Sequence, residues 1–343
     1  MKILPSLFCF IYVTTFTACS PLFVMQAAVE ESKILLKRKE ISDLVKQDEV
    51  DAELKQKLQL VLDARSFGES IGLTPKGSFT KFSKVDKDVL VWVLAGSKQT
   101  SFDVYTWWFP IVGHVPYKGY FSKTDAERAA WKLSWRGYET FIRGAEALST
   151  LGWFDDPILS TTLKNEDSWI VNTVLHESLH STVWIPNHVT FNESLANFFG
   201  FQGTIDFYRS QNDQVKIKQS KESLRREFEL GRAVEKLYAD LDKLYKSEIS
   251  EDEKLRRREI IFAKSLSPIK AKYPKLKILK TINNSEILQL KFYLTSLELF
   301  QRLYIKNNGD YAKFLSAIET LREKLKAESE SDPFKLLEEL IDN

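Results

Sequence analysis

Two histidines four residues apart around a glutamate, His176-Glu177-Ser178-Leu179-His180, with Glu193 thirteen residues after the second, constrain this chain more than any other feature. On a helix, positions i and i+4 share a face, so both imidazoles reach one metal ion while Glu177 leans over the edge of the same site. An ion held by three protein ligands keeps a fourth position for water and lowers that water's pKa from about 15.7 to about 7. A carboxylate beside it can then take the proton. The spacing therefore asks for one helix that delivers His176 and His180, and a second segment that folds back with a third ligand. The chain has only four histidines, His114, His176, His180 and His188, so a chance placement of this pair is about a one-in-a-few-hundred event. The competing reading is a buried helix with two hydrogen-bonded histidines, and Glu193 weighs against it.

Asp167 to Val183 carries Ile170, Val171, Val174, Leu175, Leu179 and Val183 at mostly helical spacing, and Pro186 stops it. A second helix is expected to begin near Asn192, which places Glu193 in its first turn and Asn197 one turn further on the same face. Asn197 is either a partner that accepts the free N–H of a ligand histidine or an ordinary solvated position. A metzincin arrangement needs a histidine six residues after His180, where this chain has Pro186. His188 reaches a metal only if the first helix breaks at once, so Glu193 is the preferred third ligand. His114, among aromatics, has packing or hydrogen bonding as its default role.

The first nineteen residues form a second signal. Lys2 supplies a positive start, Ile3 to Ala18 is largely apolar, and Phe16-Thr17-Ala18-Cys19 resembles the bacterial lipobox, whose cysteine is lipidated and becomes the new N-terminus. Residues 1–18 are accordingly excluded from the fold as a signal peptide; uncleaved anchoring and simple secretion are the alternatives. Ser20 after the cysteine, by resemblance to diderm lipoproteins, suits sorting to the outer membrane. The expected location is the bacterial cell envelope, lipid-anchored at Cys19 and facing the periplasm. Cys9 lies in the removable segment, which leaves Cys19 as the only mature cysteine and no intramolecular disulfide. The chain is 43% hydrophobic with 13% aromatic residues, enough for a large core, and its net charge is +2. The basic stretches near 217–226 and 254–258 are interleaved with acids as on solvated helix faces, so no nucleic acid is expected as a partner.

Along the chain the expected fold class is α+β and helix-rich. Residues 26–70 read as helical, with Ala27 to Leu36 and Glu53 to Leu62 periodic. Strands are expected at Val89 to Leu94, Val104 to Phe109, Tyr117 to Phe121 and Tyr138 to Ile142, with a helix at Lys123 to Trp135. A small sheet thus packs on a zincin-like active-site helix and a helical half follows, an order that suits a metallopeptidase whose strand edge holds extended substrate. Ser250 with Glu253 reads as a capping box, Pro268 as the end of that helix, and Asn283 with Glu286 as another cap, although the Asn283-Asn284 pair can also face the cleft. Lys326 to Asp332 reads as a charged linker before a short last helix. The expected division is a catalytic region over 19–210 and a helical region over 211–343, with no internal repeat.

Five blocks in order, Cys19 to Ala28, Trp107 to Phe121, Ser149 to Thr161, His176 to His180 and Phe191 to Ser194, resemble the predicted bacterial zinc aminopeptidases found as lipoproteins, a gluzincin-like group. The resemblance runs from the lipobox to about residue 210, with an echo at Asn283-Asn284. It implies a zinc-dependent peptidase holding one Zn2+ through His176, His180 and Glu193, with Glu177 as base and a peptide as substrate. This chain departs from the pattern at His114, where cysteine is expected, and at Leu148, where tyrosine is expected. It also lacks the Gly-x-Met-Glu-Asn strand with which the best-known gluzincin aminopeptidases grip a free amine, so an endopeptidase with the same metal centre is an alternative. Tyr117, Tyr120 and His114 are candidate oxyanion donors, each also readable as packed core. Gly152, in Leu151-Gly152-Trp153, is a candidate for close backbone approach to substrate or a tight turn before Asp155-Asp156-Pro157. From another class comes a non-catalytic envelope lipoprotein that docks a partner through its helical half. Intact Glu177 argues against it, because a structural zinc needs no base.

Overall fold

The computed structural model describes residues 34–109, 113–145, 155–274, 276, 282–328 and 330–342. Cys19, most of the Ala27 to Leu36 helix, Leu148 and Gly152 lie outside them. In chain order the strands are β1 (Lys39–Glu40), β2 (Lys81–Ser83), β3 (Val91–Lys98), β4 (Trp107–Phe109), β5 (Gly113–Val115), β6 (Tyr117–Tyr120), β7 (Tyr138–Ala145) and β8 (Ile158–Leu159). The helices are α1 (Ile41–Leu44), α2 (Ala52–Ser70), α3 (Lys123–Ser134), α4 (Asp167–Thr182), α5 (Val189–Ser210), α6 (Gln214–Tyr245), α7 (Glu251–Lys272), α8 (Asn284–Leu294), α9 (Leu297–Lys306), α10 (Tyr311–Ala327) and α11 (Pro333–Asp342). The fold is therefore α+β and helix-rich, with the sheets in the N-terminal half, as the patterning led one to expect.

The sheet that matters for the site is β6-β3-β7, antiparallel throughout. Its alternation sorts side chains onto two faces. Leu94 and Ile142 pack with Ala130 and Leu133 of α3, and Tyr120 joins them on that face. Val93 pairs with Gly119 and Arg143, and Ala95 with Tyr117 and Phe141, so Tyr117 and Arg143 share the opposite face. β3 and β7 run past their expected ends because the small Ala95, Gly96 and Ser97 still bury on the ladder. Val104, expected inside a strand, makes only an isolated bridge to Ser97, and the hairpin β4-β5 begins at Trp107. Within 26–70, Lys39–Glu40 is a strand rather than helix, paired with β2, because that pairing buries the fully enclosed Ile41.

Below the sheet, α4 and α5 lie side by side, α2 packs on α4, and α6 and α8 pack on α5. The α4–α5 approach is close at Gly200, where a Cβ would stand 2.9 Å from the Asn172 side chain and 3.1 Å from its carbonyl oxygen. Any larger residue there would push the two helices apart. The connection between them turns through Pro186 and Asn187, the latter at φ +67°. Buried Asn192 clamps the turn: its Oδ1 accepts from Ile185 N–H at 3.0 Å and its Nδ2 donates to the Ile185 carbonyl at 2.7 Å. That clamp lets α5 start at Val189, three residues earlier than expected, and puts Glu193 in its second turn.

The caps at Ser250 and Asn283 form as read, each side chain accepting from the N–H of Glu253 and Glu286 respectively. Pro268 does not end its helix. α7 continues to Lys272 because Leu266 and Ile269 bury on either side of it, and that burial outweighs the lost N–H. Asn283 and Asn284 tie α8 to the sheet, Asn283 through the Thr140 carbonyl and Asn284 through the carbonyls of Lys98, Gln99 and Ser101. Aromatic rings of α9, α10 and α11 close over α5, Phe300 against Phe191 and Phe198, and Phe314 against Phe199. One apolar cluster extends from Ile41 to Ile341 and includes residues on both sides of position 210. Among the described residues no helix is long and apolar enough to cross a membrane.

Candidate metal centre

His176 and His180 stand one turn apart on α4 with their rings edge to face, centroids 4.8 Å apart. Their Nε2 atoms are 3.2 Å apart, and Glu193 Oε2 from α5 lies 3.6 Å from His176 Nε2 and 3.5 Å from His180 Nε2. Donors of a tetrahedral ion at about 2.0–2.1 Å are separated by roughly 3.3–3.4 Å. The three atoms make a triangle of that size, so a point about 2 Å from all of them lies near its centre. Three electron-rich atoms pointed at one another need a cation between them, either protons or a metal. His180 is enclosed on one side by the Trp184 ring at 5.3 Å. Its side chain is 3% exposed, against 13% for His176 and 18% for Glu193, so the site opens on the His176–Glu193 side.

The electrostatics fit a cation site. Burial pushes the Glu193 carboxyl upward, but hydrogen bonds from both imidazoles and their charges outweigh it and hold it far below the carboxylate range. Burial likewise pulls His176 down, and contact with Glu193, the charge of Glu177 and the Ala196 backbone carbonyl carry it above its ordinary 6.5. In the metal-free protein the Glu193 contribution to stability is present above about pH 4.5 and is lost as acid protonates it. The His176 contribution is full below 6.5 and is lost as pH rises through its raised value. Zinc needs both imidazoles neutral, so protons compete with it increasingly as pH falls. The thermal stabilisation that a fixed excess of zinc confers is therefore expected to be larger at pH 8 than at pH 5.5. Differential scanning calorimetry at both values tests this, and an equal or reversed gain would contradict a histidine-ligated site.

Glu177 sits beside the triangle with one carboxylate oxygen, Oε2, buried and without a hydrogen-bond partner. Its charge reaches His176 and the hydroxyl of Tyr293. A buried carboxylate oxygen left unpaired is costly, and a water held at the fourth metal position would satisfy it. The donor set and this orphaned acceptor together fit a zinc ion with one open position.

Tyr293, at the C-terminal end of α8, has its ring centroid 6.5 Å from that of His176 and accepts a hydrogen bond from Arg143 Nη2 at 3.1 Å. Sequence reasoning missed it. Its partner lies 150 residues away, and the only local trace was the Asn283 cap that starts its helix. Burial and the Glu193 charge raise its hydroxyl well above 10, with Arg143 opposing. Tyr117 is raised for the same first two reasons, yet it is 38% exposed and so borders the open side.

The residues flanking Glu193 hold α8 in place. Ser194 Oγ donates to the Phe292 carbonyl at 3.1 Å, and Asn197 Nδ2 donates to the Tyr293 carbonyl at 2.9 Å. Those are carbonyls of the last helical turn, which lack N–H donors within the helix. Asn197 also hydrogen-bonds the half-buried Glu227, whose carboxyl is raised by desolvation. Asn197 therefore stands one turn beyond Glu193 as expected but donates to the Tyr293 carbonyl rather than bonding His176 or His180. The remaining expected donors lie elsewhere. His114, exposed on β5, pairs its Nδ1 with Thr106 Oγ1 at 3.1 Å, and Tyr120 points to the α3 face of the sheet. His188 caps α5 through its carbonyl, and among the described residues only His176, His180 and Glu193 form a metal-competent group.

Residues 22–332 match a family model described as "Putative aminopeptidase", and the chain belongs to that family. The match continues through the helical half as far as α10. No curated protein and no solved structure matches the chain.

Proposed function

We propose that the protein is a zinc-dependent metallopeptidase that hydrolyses peptide bonds and removes N-terminal residues. The observation that carries this reading is the convergence of three donor atoms at zinc spacing beside an unpaired Glu177 oxygen. The family description supports the peptidase class and the aminopeptidase label. His176, His180 and Glu193 would hold the ion, which supplies Lewis acidity toward water and the scissile carbonyl. Glu177 takes a proton from the attacking water and returns it to the leaving nitrogen. Tyr293, whose oxygen already accepts from Arg143, directs its own proton into the cleft as a donor to the oxygen that gains charge. The raised pKa keeps that proton in place at neutral pH.

Elemental analysis coupled to cleavage of a mixed peptide library tests the reading. One zinc per chain and cuts that start from free N-termini are expected, whereas a protein that binds zinc and cleaves nothing would make the site structural. Internal cuts alone would make it an endopeptidase. The third ligand has its own test. Glu193→Gln is expected to weaken zinc binding by more than the roughly 10–100-fold lost when a group outside the ligand shell is removed, and His188→Ala to leave it unchanged. The reverse result in a competitive zinc titration would move the ligand assignment. Attachment to the envelope through Cys19 rests on the first nineteen residues; Cys19→Ser is expected to move the protein from the membrane to the soluble fraction.

A further inference from the structure

One charge in the cleft is left over. Arg143 projects from β7 on the same sheet face as Tyr117, and its guanidinium lies over the Tyr293 ring, 5.6 Å from the centroid. Its hydrogen-bond acceptor is the neutral Tyr293 hydroxyl, its Nε–H is buried with none, and among the described residues no carboxylate comes within 4.0 Å of it. Buried or half-buried arginines are ordinarily paired, because an uncompensated charge away from water is costly. Buried Arg258 is paired with Glu139 and half-buried Arg65 with Glu69. The nearby acids are not available to Arg143. With a divalent ion in place, Glu193 and Glu177 balance its charge between them, and the cation of Arg143 remains uncompensated. Guanidinium is also the side chain best matched to a carboxylate, through parallel N–H bonds that ammonium cannot reproduce.

We propose that Arg143 anchors a carboxylate of the bound peptide, either its free C-terminus or an acidic side chain, on the sheet face turned away from α3. This rests on the peptidase reading for the identity of the ligand as a peptide, and it narrows the substrate class to short or acidic peptides. Tyr293 links the two functions: the guanidinium that holds the substrate's carboxylate also fixes the hydroxyl aimed at the reacting carbonyl. A peptide seated through Arg143 is thereby placed in register with the catalytic groups.

The test uses the full chain carrying Glu177→Gln and loaded with zinc, so that binding is read without turnover. Calorimetric titration compares Ala-Ala-Ala with its C-terminal amide, and the amides of Ala-Glu-Ala and Ala-Gln-Ala. At least one acid-bearing peptide is expected to bind about tenfold or more tighter than its neutral twin, and the arm in which this occurs identifies C-terminus or side chain. Adding Arg143→Gln should abolish the preference, and Arg143→Lys should keep part of it. Equal binding of acid and neutral peptides overturns the proposal. So does a preference that survives in an Arg143→Gln protein whose zinc affinity is unchanged. Cleavage of the same peptides by the unmutated protein is scored separately: cleavage without preference removes only the Arg143 assignment, whereas preference without cleavage removes only the hydrolase reading.

Discussion

Glu177→Gln is expected to retain zinc at the affinity of the unmutated protein while peptide hydrolysis falls by roughly 10²–10⁴. The substitution preserves shape and leaves His176, His180 and Glu193 untouched. It replaces an oxygen that accepts a proton with an amide that cannot. The neighbouring groups make the effect specific. The charge of Glu177 is one of the influences that raise His176, so the variant should also load zinc at slightly lower pH, since the imidazole gives up its proton more easily. A structural zinc site predicts the shift in loading, because the Glu177 charge acts on His176 whatever the ion does, but no loss of hydrolysis. Hydrolysis at the unmutated rate in a variant of full zinc content would remove Glu177 as the base and leave the metal site standing.

The convergence of His176, His180 and Glu193 was legible because it is encoded in local spacing. A four-residue interval fixes two side chains on one face of a helix, and a short connection fixes the third. The same logic found the caps at Ser250 and Asn283 and the sheet-then-helix order. What was not legible depends on distant pairing. Tyr293 and Arg143 meet only because β7 pairs with β3 and α8 is tied to that sheet by Asn283 and Asn284. No periodicity in either segment announces the contact. Asn197 was read in the right place, as either a histidine partner or a solvated position, and is instead a buried donor to the Tyr293 carbonyl, because helix geometry gives the face of a residue but not which element packs there. Pro268 misled for the same reason, since its local preference was overridden by burial of Leu266 and Ile269. Tyr117 and Tyr120 illustrate the period of two: four residues of β6 carry both tyrosines, and only the one on the Arg143 face borders the His176–His180–Glu193 cluster.

Tyr293→Phe is expected to lower kcat by about 10²–10³, in the range found when one donor to a developing oxyanion is removed. The zinc content should be unchanged, because Tyr293 contributes no atom to the donor triangle. Folding should be nearly so: the ring keeps its packing beside His176, and α8 stays fixed through backbone carbonyls that bond to Ser194 and Asn197. The hydroxyl's own hydrogen bond with Arg143 contributes only on the order of 1 kcal/mol to stability. KM should move little, since the hydroxyl bonds most strongly to an oxygen that carries charge only in the transition state. Tyr117→Phe is the informative comparison. Tyr117 also borders the centre, but it sits at the exposed edge and among the described residues no hydrogen bond aims its hydroxyl, whereas Arg143 occupies the acceptor side of Tyr293 and leaves its proton to be donated. A Tyr117→Phe loss that exceeds that of Tyr293→Phe at equal zinc content would transfer the oxyanion role to β6 and leave Tyr293 as a packing residue.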